Sequence, residues 1–263
     1  MVVLALLSVP EAASAWGRDG HRIVGEIASH YLTQDAEAAV EKLLSGARWG
    51  ELAEAGNWAD AHARLYRSFD EAIRLHYVNV DPEAGNVVIE RDCPDGGCVL
   101  GAIESLRERL RDASRPRWER TEDLLFLIHF IQDAHQPLHV VHPDMRGGSR
   151  IQVLFLGEEM NLHRLWDSGI IGHRLGLGGD WEDLAYTLRM EIDLDERDAW
   201  AASLDPATCA TEILVPAREL TFEVASGHEL DRDYYEQALP VVEAQLQKAG
   251  VRLAMVLNEI FAE

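Results

Sequence analysis

Leu125-Phe126-Leu127-Ile128-His129-Phe130-Ile131-Gln132-Asp133-Ala134-His135-Gln136-Pro137-Leu138-His139 is apolar at helical intervals and carries histidine and aspartate among the apolar residues. The periodicity predicts a helix over 119–136 that Pro137 ends. His129 and Asp133 stand four residues apart, so both project from one face, a geometry that suits two ligands of one metal. The turn after Pro137 can bring His139 back beside them. Asn161-Leu162-His163-Arg164-Leu165-Trp166-Asp167 repeats the i, i+4 His/Asp pairing on a second helical segment.

Outward from this stretch, apolar residues recur at helical spacing over 19–32, 34–45, 98–113, 160–168, 180–193, 207–227 and 232–262. Thr33, Ser45-Gly46, Pro116 and Gly250 mark ends or kinks between or within these segments. Strand-like stretches are few: Val87 to Ile89, and Ile151 to Leu156, which follows Arg146-Gly147-Gly148. The expected fold is therefore all-α, a compact multi-helix domain over 16–263 with at most a small β-ribbon. No repeat of 20–50 residues and no low-complexity tract interrupts it.

The composition excludes several classes. Of 263 residues, 47% are hydrophobic and 27% charged, which is globular and rules out disorder, collagen-like repeats and a disulfide-dense miniprotein. Asp plus Glu outnumber Lys plus Arg by 46 to 24, a net charge of −22. Such a chain does not hold duplex DNA through a broad basic surface, because that mode works by cations neutralising phosphates. Residues 1–15, MVVLALLSVPEAASA, have an apolar run from Val2 to Val9 and end Ala13-Ser14-Ala15. That is the pattern of a secretory signal peptide, with cleavage expected after Ala15 and Trp16 as first mature residue. Export to the periplasm or medium is the expectation, with no membrane anchor and a monomeric chain. Cys93 and Cys98 bracket a Pro-Asp-Gly-Gly turn and are expected to form a loop disulfide in an oxidising compartment. A zinc site is the alternative for that pair, but it lacks a second Cys or His pair nearby. Cys209 is left over, expected buried and reduced.

A lone helical histidine is more often a hydrogen-bonded core or surface residue than a ligand. Two His/Asp i, i+4 pairs in one chain, with imidazole and carboxylate donors and no thiolate, make zinc the leading metal ahead of manganese or iron.

The chain resembles the zinc-dependent single-strand-specific nucleases of the S-one/P-one type along most of its mature length. The matching motifs are Trp16-Gly17 with Gly20-His21, Asn57-Trp58-Ala59-Asp60, Leu75-His76-Tyr77, the block His129 to His139, Gly147-Gly148, Asn161-Leu162-His163, and Trp166-Asp167. A weaker match lies at Ala249 to Ala254 with Leu257-Asn258. The resemblance implies the fold shared by phospholipase C and P-one nuclease and a cluster of three Zn²⁺ ions. Asp60, His76, His129 and Asp133 would hold one ion, with Asp133 bridging to a second. The α-amine and carbonyl of Trp16 with His21 would complete the second; His139, His163 and Asp167 would hold the third. A free α-amine has a pKa near 8 and can shed its proton to become a ligand, so only a processed chain can build this site.

The implied chemistry is hydrolysis of single-stranded DNA and RNA at the P–O3′ bond to give 5′-nucleotides, with removal of terminal 3′-phosphates at the same site. Asp133 and Asp60 would be catalytic through the ions they hold. Tyr77 aligns with a base-stacking aromatic. Asn79 stands where many members carry an aspartate that bonds the base edge. The family's phosphate-binding arginine falls on Ala63 here, with Arg64 one residue later and still on the same helical face. Two other readings remain open at this stage. A zinc phospholipase C shares the fold, although it has a glutamate as last ligand and a shorter gap than the 24 residues from His139 to His163. A non-catalytic zinc-binding protein is the second.

Overall fold

A computed structural model describes residues 16–46, 49–62, 73–81, 83–141 and 143–262. The 119–136 expectation is met by a helix α6 at Arg117–Asp133, preceded by α1 (Arg18–His30), α2 (Gln34–Leu44), α3 (Leu52–Ala55), α4 (Trp58–His62) and α5 (Val99–Arg111). After it come α7, in three pieces (Leu162–Arg164, a π-helical stretch Leu165–Gly169, and Ile170–Gly176), then α8 (Trp181–Glu191), α9 (Leu194–Ala201), α10 (Pro206–Ala217) and α11 (Arg232–Phe261). The fold is mainly helical, as the periodicity required.

The second half of α6 is apolar on every side, so it sits inside the molecule rather than on its surface. Leu124, Leu125, Leu127, Ile128, Phe130 and Ile131 are all buried. α6 stops at Asp133, three residues short of the expected end. The residue before a proline resists the α conformation, and Gln136 instead starts a 3₁₀ turn at Pro137–His139 whose Leu138 amide it caps.

α1 presses against α11 and α3. A side chain on Gly250 would strike Ile27, and one on Gly25 would come 2.5 Å from the Leu52 carbonyl oxygen. Gly250 therefore does not punctuate the last helix; it lets α11 pass through to Phe261 while α1 lies against it. Asp180, Asp193, Asp205 and Asp231 each accept a bond from an amide of the following first turn, at the starts of α8 to α11. Part of the acidic surplus thus caps helices and faces their positive ends.

Two further expectations are corrected. Val87 to Ile89 is not a strand: Asp92 accepts from the Val88 amide at 2.9 Å, and Ile89–Asp92 closes into a helical turn. The 207–227 segment ends earlier, in a π-helical stretch at Arg218–Phe222. α9 went unread because it buries none of its residues and so has no apolar stripe.

The ribbon forms where expected and gains a third strand. β3 (Gln152–Phe155) pairs antiparallel with β4 (Glu158–Asn161) and parallel with β5 (Glu229–Leu230). Separately, β1 (Val78–Asn79) lies parallel to β2 (Val140–Val141), with Val78 opposite Val140. Among the described residues no helix is long and apolar enough to cross a membrane.

Cys93 and Cys98 are disulfide-bonded, and Cys209 is buried and free. Cys98 caps α5, and the next amide, Val99, donates to the Tyr77 carbonyl at 3.2 Å. The staple therefore braces the strand that carries Tyr77 and Asn79. Closing so short a loop is worth about 2 kcal/mol in the chain-entropy account. Cys93→Ser/Cys98→Ser is expected to lower the unfolding free energy by about that amount in urea titrations; an unchanged midpoint would show that the loop holds its shape without the bond.

Candidate metal centre

α6 delivers His129 and Asp133 to the interior, and neither exposes any surface. His129 Nε2 lies 3.2 Å from Asp133 Oδ2, and His21 Nε2, from α1, lies 4.0 Å from Asp133 Oδ1. The two carboxylate oxygens thus face two different imidazoles. Asp60 from α4 approaches the same ring, with Oδ1 3.7 Å from His129 Nε2 and 3.8 Å from His76 Nε2. On α7, His163 Nε2 stands 3.1 Å from Asp167 Oδ2, and His139 from the turn after α6 stacks its ring on His163 at 5.3 Å. Three groups result: His21, His129 and Asp133; Asp60, His76 and His129; His139, His163 and Asp167. In each, candidate ligand atoms lie within 4.8 Å of one another.

The rings are held from behind by atoms that can only accept. His129 Nδ1 donates to the Gly56 carbonyl at 2.7 Å, His139 Nδ1 to the His76 carbonyl at 2.6 Å, and His163 Nδ1 to the Gly147 carbonyl at 2.6 Å. His21 Nδ1 bonds to Gln132 Oε1. Each bond turns Nε2 toward its group and, in the neutral ring, leaves its lone pair there, as metal-ligating histidines are held. Gln136 donates to Asp167, leaving the other carboxylate oxygen toward His163. Gly56 has no room for a side chain, since a Cβ would lie 2.5 Å from Gln132 Oε1.

His21 Nε2, His129 Nε2 and both oxygens of Asp133 are buried without a hydrogen-bond partner among the described residues. The 3.2 Å between His129 and Asp133 is close but poorly aligned, so the atoms aim at a shared point more than at each other. Burying an ionised carboxylate uncompensated costs several kcal/mol. A cation at that point removes the cost, and the nitrogen and oxygen donor set fits a divalent metal.

Trp16 is buried, its indole donating to the Gln132 carbonyl at 3.0 Å, and the Gly17 amide donates to the Asp167 carbonyl at 2.8 Å. These bonds lodge the start of the described chain between α6 and α7. Tyr77, half-buried, and Asn79, exposed, line a cleft of about 320 Å³ together with His76, His139 and His163. Arg64 falls outside the described residues.

Residues 16–262 match the S1/P1 Nuclease family. The chain is 33% identical to Endonuclease 2 of Arabidopsis thaliana, covering 99% of this chain and 96% of that one. It is 33% identical to Nuclease P1 of Penicillium citrinum over 93% of this chain and 97% of that one, and 27% identical to Nuclease S1 of Aspergillus oryzae over 98% and 96%. The chain belongs to the S1/P1 nuclease family. It is a nuclease, and its substrates are nucleic acids.

Two histidines outside the three groups are engaged elsewhere. His135 of this S1/P1 nuclease donates to the Ile131 carbonyl and meets Arg252 at 3.2 Å, while His62 stacks on Trp58 at 4.8 Å. His142 lies outside the described residues. Sequence reasoning missed the supports instead. Gln132 and Gln136 were legible as polar residues flanking Asp133 on an apolar helix, whereas the carbonyls of Gly56, His76 and Gly147 leave no mark in the side-chain pattern.

Burial in the metal-free nuclease site pushes most of these groups toward their neutral forms. Burial, countered partly by His129, raises the Asp133 carboxyl, and burial raises that of Asp167 well above the carboxylate range. Burial also drives His21 down to about 3 and His139 well below its usual value. His129 goes the other way: burial opposes its charge, but Asp133 and Asp60 outweigh that and raise it to about 9. At neutral pH the His129–Asp133 pair therefore holds a proton that a metal must displace. Metal binding is expected to release about one proton or more and to weaken as pH falls. Calorimetric titration in two buffers of different ionisation enthalpy measures this; proton-free, pH-independent binding would contradict it.

Proposed function

We propose that this nuclease is a zinc enzyme that hydrolyses single-stranded DNA and RNA at the P–O3′ bond, releases 5′-phosphorylated products and also removes terminal 3′-phosphates. The observation that carries the reading is the placing of three His/Asp groups, one of them with buried atoms unpartnered among the described residues, beside a cleft lined by Tyr77 and Asn79.

In this reading Asp60, His76, His129 and Asp133 hold one Zn²⁺, His21 and Asp133 with the Trp16 amine and carbonyl a second, and His139, His163 and Asp167 a third. Bound divalent ions supply charge against the phosphate oxygens and lower the pKa of water toward about 7, so that hydrolysis proceeds at neutral pH. The residues do the rest. Asp133, with one oxygen toward His21 and the other toward His129, would be the ligand shared by the two groups it joins. Tyr77 offers a ring to an unpaired base, and such stacking is worth about 1 to 3 kcal/mol while tolerating any sequence. A duplex keeps its bases stacked on each other and gains nothing from that ring. Asn79 both donates and accepts at the base edge, which permits a broader base choice than a carboxylate. Arg64 is assigned to the phosphate by its place in the sequence.

Cleavage after Ala15 gives Trp16 its free amine, and the chain acts in the periplasm or medium as a monomer. The Cys93–Cys98 disulfide supports the oxidising compartment, and the start of the family match at Trp16 supports the cleavage point. Membership of the nuclease family favours this reading over a phospholipase C or a zinc store.

The zinc-loaded chain beginning at Trp16 is expected to release nucleotides from denatured DNA and RNA, to leave duplex DNA largely intact, and to free no phosphocholine from lecithin. One extra residue before Trp16, or Asp133→Asn, should lower kcat by more than about 100-fold and reduce the zinc count. Full activity in either variant would sink the three-ion assignment.

A further inference from the structure

The cleft beside the metal groups has two unlike walls. One is the strand of Tyr77 and Asn79. The other is the turn at Pro143–Gly148, where Arg146 and Gly147 take left-handed conformations at φ 45° and 61°. Gly147 serves the site directly: its carbonyl orients His163, and a side chain on it would come 3.0 Å from that imidazole nitrogen. The turn is locked from the other side, since the Arg146 carbonyl accepts from the Ser149 amide at 3.3 Å and hydroxyl at 2.9 Å.

Arg146 is a non-glycine residue in a conformation that costs about 1 kcal/mol or more. Among the described residues lining the cleft it is the one side chain that is always cationic, and no carboxylate lines the cleft with it. It forms no ion pair among the described residues, although acids outnumber bases by 46 to 24. Many arginines elsewhere are bound up, Arg22 with Glu54, Arg107 and Arg111 with Glu259, Arg115 with Asp123 and Glu119, Arg252 with Glu212, and what sets Arg146 apart is its place in the cleft wall. An exposed arginine kept unpaired at the rim of a cleft floored by His76, His139 and His163 is placed to meet an anion that enters with the substrate.

We propose that Arg146 binds the phosphate next to the one that is cut, so that the enzyme favours a strand over a dinucleotide. This rests on the nuclease reading above. The cut phosphate lies against the histidine groups and the base against Tyr77 and Asn79. The rim arginine then takes the neighbouring phosphate, by a fork geometry that lysine does not reproduce.

Two measurements on the zinc-loaded chain beginning at Trp16 test it. In the first, kcat/KM is compared for an oligothymidylate and for the dinucleoside monophosphate TpT, which has only the phosphate to be cut. Arg146→Gln is expected to lower the oligomer value about tenfold while TpT stays within about twofold, and Arg146→Lys is expected to recover part of the loss. In the second, affinity for an oligothymidylate with uncleavable 3′-methylenephosphonate links is followed against salt. Loss of one phosphate contact should make the slope of log K against log salt shallower by about 0.7. Equal losses on oligomer and TpT would assign Arg146 to supporting His163 and overturn the proposal. An oligothymidylate value that stays within about twofold of the unsubstituted chain, with an unchanged salt slope, would show that Arg146 meets no phosphate and overturn it likewise. If the unsubstituted chain cleaves nothing, the nuclease reading fails by itself, and the salt slope still decides Arg146.

Discussion

A carboxylate buried in the core with no hydrogen bond to either oxygen is a condition few folds tolerate, and among the described residues Asp133 meets it at the end of a helix whose second half is buried among apolar side chains. The charge has to be matched by a proton or a cation, and much of the chain is arranged around that requirement. α1 brings His21, α4 brings Asp60, the segment before β1 brings His76, and the turn forced by Pro137 brings His139. The imidazoles of His21, His129, His139 and His163 are fixed from behind, so that what converges is a set of oriented nitrogens in place of a set of mobile rings. Preorganising the donors removes an ordering cost that metal binding would otherwise carry.

The same requirement explains local features that packing alone does not. Gly56 stays without a side chain because Gln132 occupies that space while reaching His21, and because its own carbonyl must sit behind His129. The π-helical stretch at Leu165–Gly169 widens α7 where Asp167 departs from it toward His163, and such bulges are common where a helix serves a site. The His135–Arg252–Glu212 chain ties the end of α6 to α10 and α11, so the turn after Asp133 is held by a hydrogen bond and an ion pair of buried Arg252 as well as by apolar contact. Leaving Arg252 unmatched there would be costly, which makes that network a brace for the last turn of α6.

The helices and the pairing of His129 with Asp133 and His163 with Asp167 were legible because periodicity and i, i+4 spacing are properties of one segment. The convergence of three groups was legible only through family resemblance, since no local rule brings His21, Asp60 and His76 beside α6. The backbone acceptors were not legible at all: a carbonyl is present at every residue, and only the fold selects which one stands behind a ring. Val87 to Ile89 misled because its β-branched residues fit a strand until Asp92 turned back to cap them. Gly250 misled because glycine breaks helices in isolation, whereas here the missing side chain admits Ile27.

The excess of acid over base also takes on a structural meaning. Part of it caps helices, and part of it neutralises arginines, so that few cations remain to act at a distance. A nucleic acid approaching such a surface meets repulsion from any face that lacks cations. At physiological salt, fields die away over about 8 Å, so a remote acid counts for little once a strand has entered the cleft. What decides binding is then the sign of the few charges lining it. On the proposed reading those are the zinc ions and one arginine, a local positive site in a negative molecule, which admits a flexible single strand one phosphate at a time. A rigid duplex must lay its full length of phosphates against the acidic exterior to bring one of them in.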